Sequence, residues 1–309
     1  MGLAERAIDA ANAIYGSHPG HRALHSKGTL YAGVFAATEA AATLTRAPHM
    51  RGDSLRATVR FSNASGDPGA PDHAQDGRGM AVKIYLPGGA TTDIVAVTRP
   101  TFFVRTPEDF VELMEARRPD PETGQPDMER LGAFLGAHPE SVPAIQAALQ
   151  AKPPAGYAQQ RYFAIHAFKW IAPDGRERFV RYVWEPEAEV EELTEEEARE
   201  RGADYLRDEL AERVASGPAA FRLLVQLAED GDPSDDPTAA WPDERERVEV
   251  GRLELTGPEL EREQGDDVLV FDPTRVVDGI ELSDDPILRF RSPAYSVSIE
   301  RRSGIPAPQ

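Results

Sequence analysis

Leu55-Arg-Ala-Thr-Val-Arg-Phe-Ser62 alternates apolar and polar side chains at every step. A period of two is that of a β-strand, so Leu55, Ala57, Val59 and Phe61 face one way and Arg56, Thr58, Arg60 and Ser62 the other. Residues 63–79 follow as a loop rich in Gly, Pro and Asp, longer than most connections and for that reason a candidate functional loop. Two more strands are expected at Met80–Leu86 and Asp93–Thr98, around the turn Pro87-Gly-Gly89. Another pair is expected at Tyr162–Ile171 and Arg178–Glu185, joined by Ala172-Pro-Asp-Gly-Arg176. In the first of that pair Ala164, His166, Phe168 and Trp170 share a face, and His166 reads as a hydrogen-bonded strand residue. The last strands are expected at Arg247–Leu255 and Asp267–Phe271.

Helices occupy the intervals. Ala4–Tyr15 is a short amphipathic helix ended by Gly16. Thr106 as N-cap with Pro107 at the first helical position starts another, running to Arg117. Helical segments follow at Met128–Leu135 and Val142–Lys152, then an acidic helix over Glu189–Arg201 with the capping box Thr194/Glu197. A longer amphipathic helix is expected from Asp204 to Ala228, followed by a Pro/Asp loop over Gly231–Asp243. Strands and helices do not alternate regularly, so the class is α+β, or a barrel with helices.

Composition narrows the function. The chain has 309 residues, enough for two domains or one barrel with its helices. It has no cysteine, which excludes disulfides, zinc–thiolate sites, thiol peroxidases and iron–sulfur clusters. A net charge of −19 argues against nucleic acid and anionic membranes as partners. The N-terminal ten residues carry charges where a signal peptide needs an apolar run, and no stretch approaches the ~20 apolar residues of a membrane span. A soluble, cytoplasmic protein is expected.

Close to the C-terminus lies Asp285-Pro-Ile-Leu-Arg-Phe-Arg-Ser-Pro-Ala-Tyr-Ser-Val-Ser-Ile-Glu-Arg-Arg302. On a helix Arg291 and Tyr295 lie four apart on one face, with Leu288, Ile299 and Arg302 on or near it. Pro293 between them is awkward for a helix. Such a pair is an ordinary helix contact in most proteins. It is also a way to make a ligand, because a guanidinium favours the phenolate of a group that otherwise titrates near pH ~10. Tyrosinate is one of the few protein ligands of ferric haem iron. His25, in Arg22-Ala-Leu-His25-Ser-Lys-Gly28, reads either as a loop histidine or as a proton shuttle.

Taken in order, these segments resemble the monofunctional haem catalases, and more narrowly the short bacterial catalase-related peroxidases. The resemblance rests on 22–28; on Val59-Arg-Phe-Ser-Asn-Ala-Ser-Gly66 with Asp72 and Asp76-Gly-Arg-Gly-Met-Ala-Val-Lys83; and on Asp93-Ile-Val-Ala-Val-Thr-Arg-Pro-Thr-Phe-Phe-Val-Arg105. His166-Ala-Phe-Lys169, Phe271-Asp-Pro273, Gly279-Ile-Glu281, Asp285, Leu288, Arg291 and Tyr295 continue it, so it covers roughly 20–302. It implies an α+β fold, an antiparallel β-barrel with surrounding helices and haem b buried between them. Tyr295 would be the proximal iron ligand and Arg291 its charge partner, with His166 and Asp285 extending that network. His25 would be the distal acid–base and Ser62 the residue that orients it. Arg22, Arg60 and Arg302 would pair with the haem propionates, and Phe110 would stack near the distal face.

Two departures bear on activity. Where the family has a distal asparagine this chain has Val97, followed by Thr98, and Leu24 stands where catalases usually carry valine. Without a second polar group, hydrogen peroxide is poorly held as a reductant, and organic hydroperoxides are better tolerated. The N-terminal arm is also short, and the extension that follows the haem domain in the family's larger members is absent. Both suggest a smaller oligomer, a dimer by default, and a haem edge open to donors. The expected organisation is an arm over 1–20, one haem domain over 21–302 and a flexible tail over 303–309. The expected activity is reduction of hydrogen peroxide or organic hydroperoxides by small organic electron donors, with weak catalase activity. A fatty-acid hydroperoxide isomerase or lyase, a small true catalase and a non-enzymatic haem-binding protein are the alternatives.

Overall fold

The computed structural model of the chain describes residues 1–120, 122–260 and 268–303. Its strands are Gly28–Ala37 (β1), Ser54–Asn63 (β2), Arg78–Tyr85 (β3), Thr91–Val97 (β4), Tyr162–Phe163 (β5), Phe168–Ile171 (β6), Glu177–Pro186 (β7), Ala219–Leu227 (β8), Arg247–Glu259 (β9) and Ile280–Leu282 (β10). Every pairing is antiparallel. The ring β1–β2–β3–β4–β5–β7–β8–β9 closes because β9 pairs back onto β1. This is an eight-stranded barrel, with β6 and β10 extending the sheet beyond β7.

The alternation over 55–62 decides inside from outside. Leu55, Ala57, Val59 and Phe61 lie in the barrel core with Met80, Val82, Ile84 and Phe221. Phe61 stacks on Tyr157 (5.5 Å between centroids) and lies 5.9 Å from Phe221. The opposite face carries Arg60 and Ser62, both buried beneath other chain segments.

The helices are Leu3–Tyr15 (α1), Glu39–Leu44 (α2), Pro107–Arg117 (α3), Met128–Ala137 (α4), Val142–Gln150 (α5), Glu195–Glu200 (α6), Tyr205–Ser216 (α7) and Pro286–Ser303 (α8). α3 opens as expected: Thr106 Oγ1 accepts from the Asp109 N–H (3.2 Å), and the Asp109 carboxylate accepts from the Thr106 N–H (3.1 Å). α8 starts on Asp285, whose carboxylate accepts from the N–H groups of Ile287 (2.8 Å) and Leu288 (3.1 Å), and it runs through Pro293. Leu113, Met114, Phe134 and Ile287 form a second core outside the barrel, joining α3, α4 and α8. Among the described residues no helix is long and apolar enough to cross a membrane.

Four segments differ from expectation. The helix from Asp204 stops at Ser216, because Gly217-Pro218 cannot continue it, and Ala219–Leu227 is β8. Tyr162–Ile171 is not one strand: the backbone leaves the sheet over 164–167, and His166 sits in the break. The acidic helix begins only at Glu195, since Thr194 is its N-cap and the preceding residues bond elsewhere, Leu193 N–H to the Pro153 carbonyl (2.8 Å) and Glu191 N–H to that of Gln159 (3.3 Å). Residues 268–271 are not a strand but a cover, with Leu269 and Phe271 packed on Leu30 of β1; Asp267 lies outside the described residues. So does the tail at 304–309, while Ser303 still belongs to α8.

Candidate functional site

The outward face of the barrel carries a row of four residues. Gly28 of β1 pairs with Ser62 of β2, Ser62 with Gly79 of β3, and Gly79 with Val97 of β4. Cross-strand partners point to the same side of a sheet, so these four share one face. Two of them are glycines for a spatial reason. A Cβ at Gly79 would fall 2.8 Å from both His25 Nδ1 and Ser62 Oγ, and one at Gly28 would fall 2.6 Å from the Arg60 guanidinium carbon. The missing side chains are the space in which His25 and Arg60 sit.

His25 is held tightly there. Its Nδ1 lies 3.0 Å from Ser62 Oγ. Its backbone is left-handed (φ 55°), alone among the described non-glycine residues, a conformation that persists only where the surroundings impose it. Here they do: the His25 N–H donates to the Ala64 carbonyl (3.1 Å), and Arg60 donates to the carbonyls of His25 (3.0 Å) and Ser26 (3.3 Å). Burial lowers the His25 pKa to about 3, and the charges of Arg60, Arg291 and Arg22 press it the same way. The imidazole is therefore neutral throughout the physiological range. Val97 closes the row, with Gly79 on one side and Phe163 of β5 on the other, so this wall is apolar.

The second half of the site comes from α8. Arg291 Nη1 donates to Tyr295 Oη at 3.3 Å, the i,i+4 contact expected of the sequence. Its guanidinium lies 5.3 Å from the ring centre of Phe102. The Asp285 carboxylate that opens α8 also meets His166 Nδ1 at 2.6 Å, with both side chains buried. Burial lowers the His166 pKa, Asp285 opposes that, and the Arg291 charge adds to the lowering. His166 Nε2 and Arg291 Nε are both buried without a hydrogen-bond partner among the described residues. Arg302, seven residues beyond Tyr295, is buried in the last turn of α8.

The sequence candidates thus gather into two groups. His25, Ser62, Val97 and Arg60 meet on the barrel face; Tyr295, Arg291, His166 and Asp285 meet at α8, and the Arg291 charge reaches both histidines. Arg22 donates to the Leu269 carbonyl (3.0 Å), at the cover segment. Phe110 is less directly placed: it is half-buried among Phe102, Phe103 and the α3–α8 core, 6.0 Å from Phe103 between ring centroids. Gly28, Gly79, Phe102 and Phe163 are site residues not singled out from sequence. Gly79 closes the loop expected over 63–79, so its place within β3, against His25, carried no signal in the sequence.

Known proteins share this architecture. The catalase family profile matches residues 15–309. A catalase-related peroxidase of Mycolicibacterium paratuberculosis is 47% identical over 302 residues, which cover 97% of this chain and 95% of the relative. One from Synechococcus elongatus is 37% identical, over 97% of this chain and 88% of its own length. A fungal catalase structure superposes with a TM-score of 0.83 at 26% identity, covering 93% of this chain. The chain spans about 60% of the length of that solved catalase. An antiparallel barrel closed around an aromatic core, a histidine wedged against its outer face by glycine, and a Tyr–Arg pair on the last helix accompany these matches, and the chain belongs to the catalase family.

Proposed function

We propose that the chain is a haem-dependent, catalase-related peroxidase that reduces hydrogen peroxide or organic hydroperoxides with small organic electron donors and releases little oxygen. The overall reaction takes two electrons and two protons from the donor and returns water with an alcohol, or two waters from hydrogen peroxide. The observation that carries the reading is the row Ser62–Gly79–Val97: one neutral imidazole, that of His25, is positioned against Ser62 and Gly79, and the row ends in the apolar Val97.

The residues present fit haem b. A phenol lies beside a guanidinium, His166 Nε2 and Arg291 Nε are buried without a hydrogen-bond partner among the described residues, and the charges acting on His25 are all arginines, a set complementary to two propionates. Tyr295 would hold the iron with Arg291 stabilising its phenolate, and His166 and Asp285 would fix Arg291 in turn. Arg22, Arg60 and Arg302 would hold the propionates, and Phe110 would border the distal side. Haem bound there would supply the redox chemistry, accepting the oxidising equivalents of the peroxide and passing them to the donor.

The protein's own part is proton movement and exclusion. Ser62 occupies Nδ1 of His25, so Nε2 receives the proton of the incoming peroxide and returns it to the oxygen that leaves as water or alcohol. Burial keeps His25 unprotonated and ready for the first of these steps. Val97 and Phe163 offer the bound peroxide no hydrogen bond, which disfavours a second peroxide as reductant and leaves that role to the donor.

An oxygen electrode run beside donor oxidation on haem-loaded protein tests the reading. Donor oxidation with little oxygen is expected; rapid oxygen evolution would make the protein a small catalase. A Tyr295→Phe protein with an unchanged haem spectrum would overturn the ligand assignment. We further propose that 21–302 works as one haem domain behind a short arm, that the protein acts in the cytoplasm, and that it is a dimer.

A further inference from the structure

Just past the end of β4 the chain folds back over the approach to β3. The Thr98 N–H donates to the Arg78 carbonyl (3.0 Å), and Thr98 Oγ1 accepts from the Arg78 N–H (3.1 Å). Arg99 follows, and its Nη2 lies 3.8 Å from where a Cβ would project at Gly77. Gly77 is two residues before Gly79, so Arg99 sits beside the backbone two residues from the glycine that seats His25. Ala64, whose carbonyl holds the His25 N–H, borders the same point at 3.6 Å.

Arg99 differs from the structural arginines around it. Both terminal nitrogens of Arg78 donate to backbone carbonyls, Nη1 to Asp76 and Gly77 and Nη2 to Asp72 and Ala74. Arg99 is half-buried, and among the described residues its guanidinium makes no hydrogen bond or ion pair. Asp76 is the carboxylate that acts on it, and its oxygens already accept from the N–H groups of Ser65 (2.7 Å) and Gly77 (2.8 Å). Arg117 of α3, anchored to the Tyr15 hydroxyl at 3.2 Å, adds a further positive charge. A half-desolvated guanidinium fork without a partner, supported by a second, is matched by a carboxylate.

We propose that Arg99, its positive charge reinforced by Arg117, is a carboxylate-binding site on the barrel face two residues from the seat of His25, selecting organic hydroperoxides whose apolar body carries a carboxylate. The apolar body follows from Val97 and Phe163, which wall the row that holds His25. The proposal rests on the peroxidase reading for its substrate class, but the binding site stands on its own geometry. The same guanidinium chemistry would also suit a haem propionate, and the test separates the two.

Isothermal titration of haem-loaded protein with hexanoate and with hexanamide reads the site without turnover. Hexanoate should bind at least about tenfold tighter than the amide, and Arg99→Gln should remove that preference while leaving the amide unchanged. Arg99 makes no hydrogen bond or ion pair among the described residues, so the variant should fold; Arg117→Gln, expected to weaken hexanoate less, is the second variant. In turnover, Arg99→Gln should raise KM for a carboxylated hydroperoxide and leave KM for cumene hydroperoxide alone. Equal affinity for hexanoate and hexanamide in the unaltered protein would overturn the proposal. So would an Arg99→Gln protein that loses haem retention but keeps its hexanoate affinity, which would assign Arg99 to a propionate. If hexanoate binding depends on Arg99 while no hydroperoxide is reduced, the site is supported and the peroxidase reading is the one that fails.

Discussion

Replacing Gly79 by alanine tests the seating of His25 with a single methyl group. The new carbon would lie 2.8 Å from His25 Nδ1 and Ser62 Oγ and 2.9 Å from His25 Cε1. Non-bonded contacts settle near ~3.5 Å, so the ring must withdraw by roughly 0.7 Å. The backbone of His25 cannot take up that movement, being fixed at φ 55° by Ala64 on one side and Arg60 on the other. Rotation of the ring remains, and it breaks the 3.0 Å contact with Ser62. Overpacking costs about 1–3 kcal/mol and the lost hydrogen bond about 1 kcal/mol, while alanine's better strand entropy returns about 0.5–1 kcal/mol. The net loss should be about 1–3 kcal/mol, read from the urea midpoint. If His25 is the acid–base proposed above, its misplacement forfeits that catalytic contribution and donor oxidation by haem-loaded protein should fall by about 10²-fold. Gly257→Ala is the control, since nothing lies within 4 Å of a Cβ there. If the two variants behave alike in both assays, the account of how His25 is positioned is wrong.

The same burial gives a pH dependence of stability. His25 and His49 are lowered to about 3 and about 4, both chiefly by burial, from an ordinary value of 6.5. Burial lowers His166 as well, so below about pH 6.5 the unfolded chain takes up protons on three histidines that the folded chain resists, and stability is full above that pH and falls as pH drops. His25 and His49 together should contribute about 2–2.5 kcal/mol per pH unit between pH ~6 and ~4.5, and His49→Gln should remove roughly half of that pair's share; urea midpoints across that range measure both. Val97→Asn would set an amide into the row facing Ser62 and Gly79. Oxygen release relative to donor oxidation should rise about tenfold, the effect of one added hydrogen bond to peroxide, and an unchanged ratio on the electrode would show that Val97 does not set the partition.

Much of this architecture is legible in the chain because local and global preferences agree. Residues 55–62 alternate cleanly, since one face meets the aromatic core and the other the polar site. Thr106-Pro107 fixes the start of α3 by capping chemistry alone. β8 resisted reading for the opposite reason. Ala219–Leu227 is covered on both faces, with Leu223 and Val225 in the core and Gln226 buried under the Pro242 carbonyl, so its period of two is blurred. Its Ala, Arg and Leu residues then read as a continuation of α7. The break at 164–167 was equally hidden, because the cause is Asp285, more than a hundred residues away, drawing His166 out of the sheet. At the site, Arg291 and Tyr295 are readable as an i,i+4 pair, whereas the dependence of His25 on Gly79 exists only once β2 and β3 are in register.

The closure of the barrel also sets a schedule for synthesis. β1 has no neighbour on one side until β9 is made: Gly33 waits for Leu255. Tyr295 and Arg291 emerge later still. For most of translation, an incomplete sheet over an aromatic-rich core must keep its β1 edge open, the circumstance in which nascent chains aggregate. Yield in a cell should therefore depend on chaperone capacity and elongation rate during that interval, and haem supply can matter only after the last helix has left the ribosome.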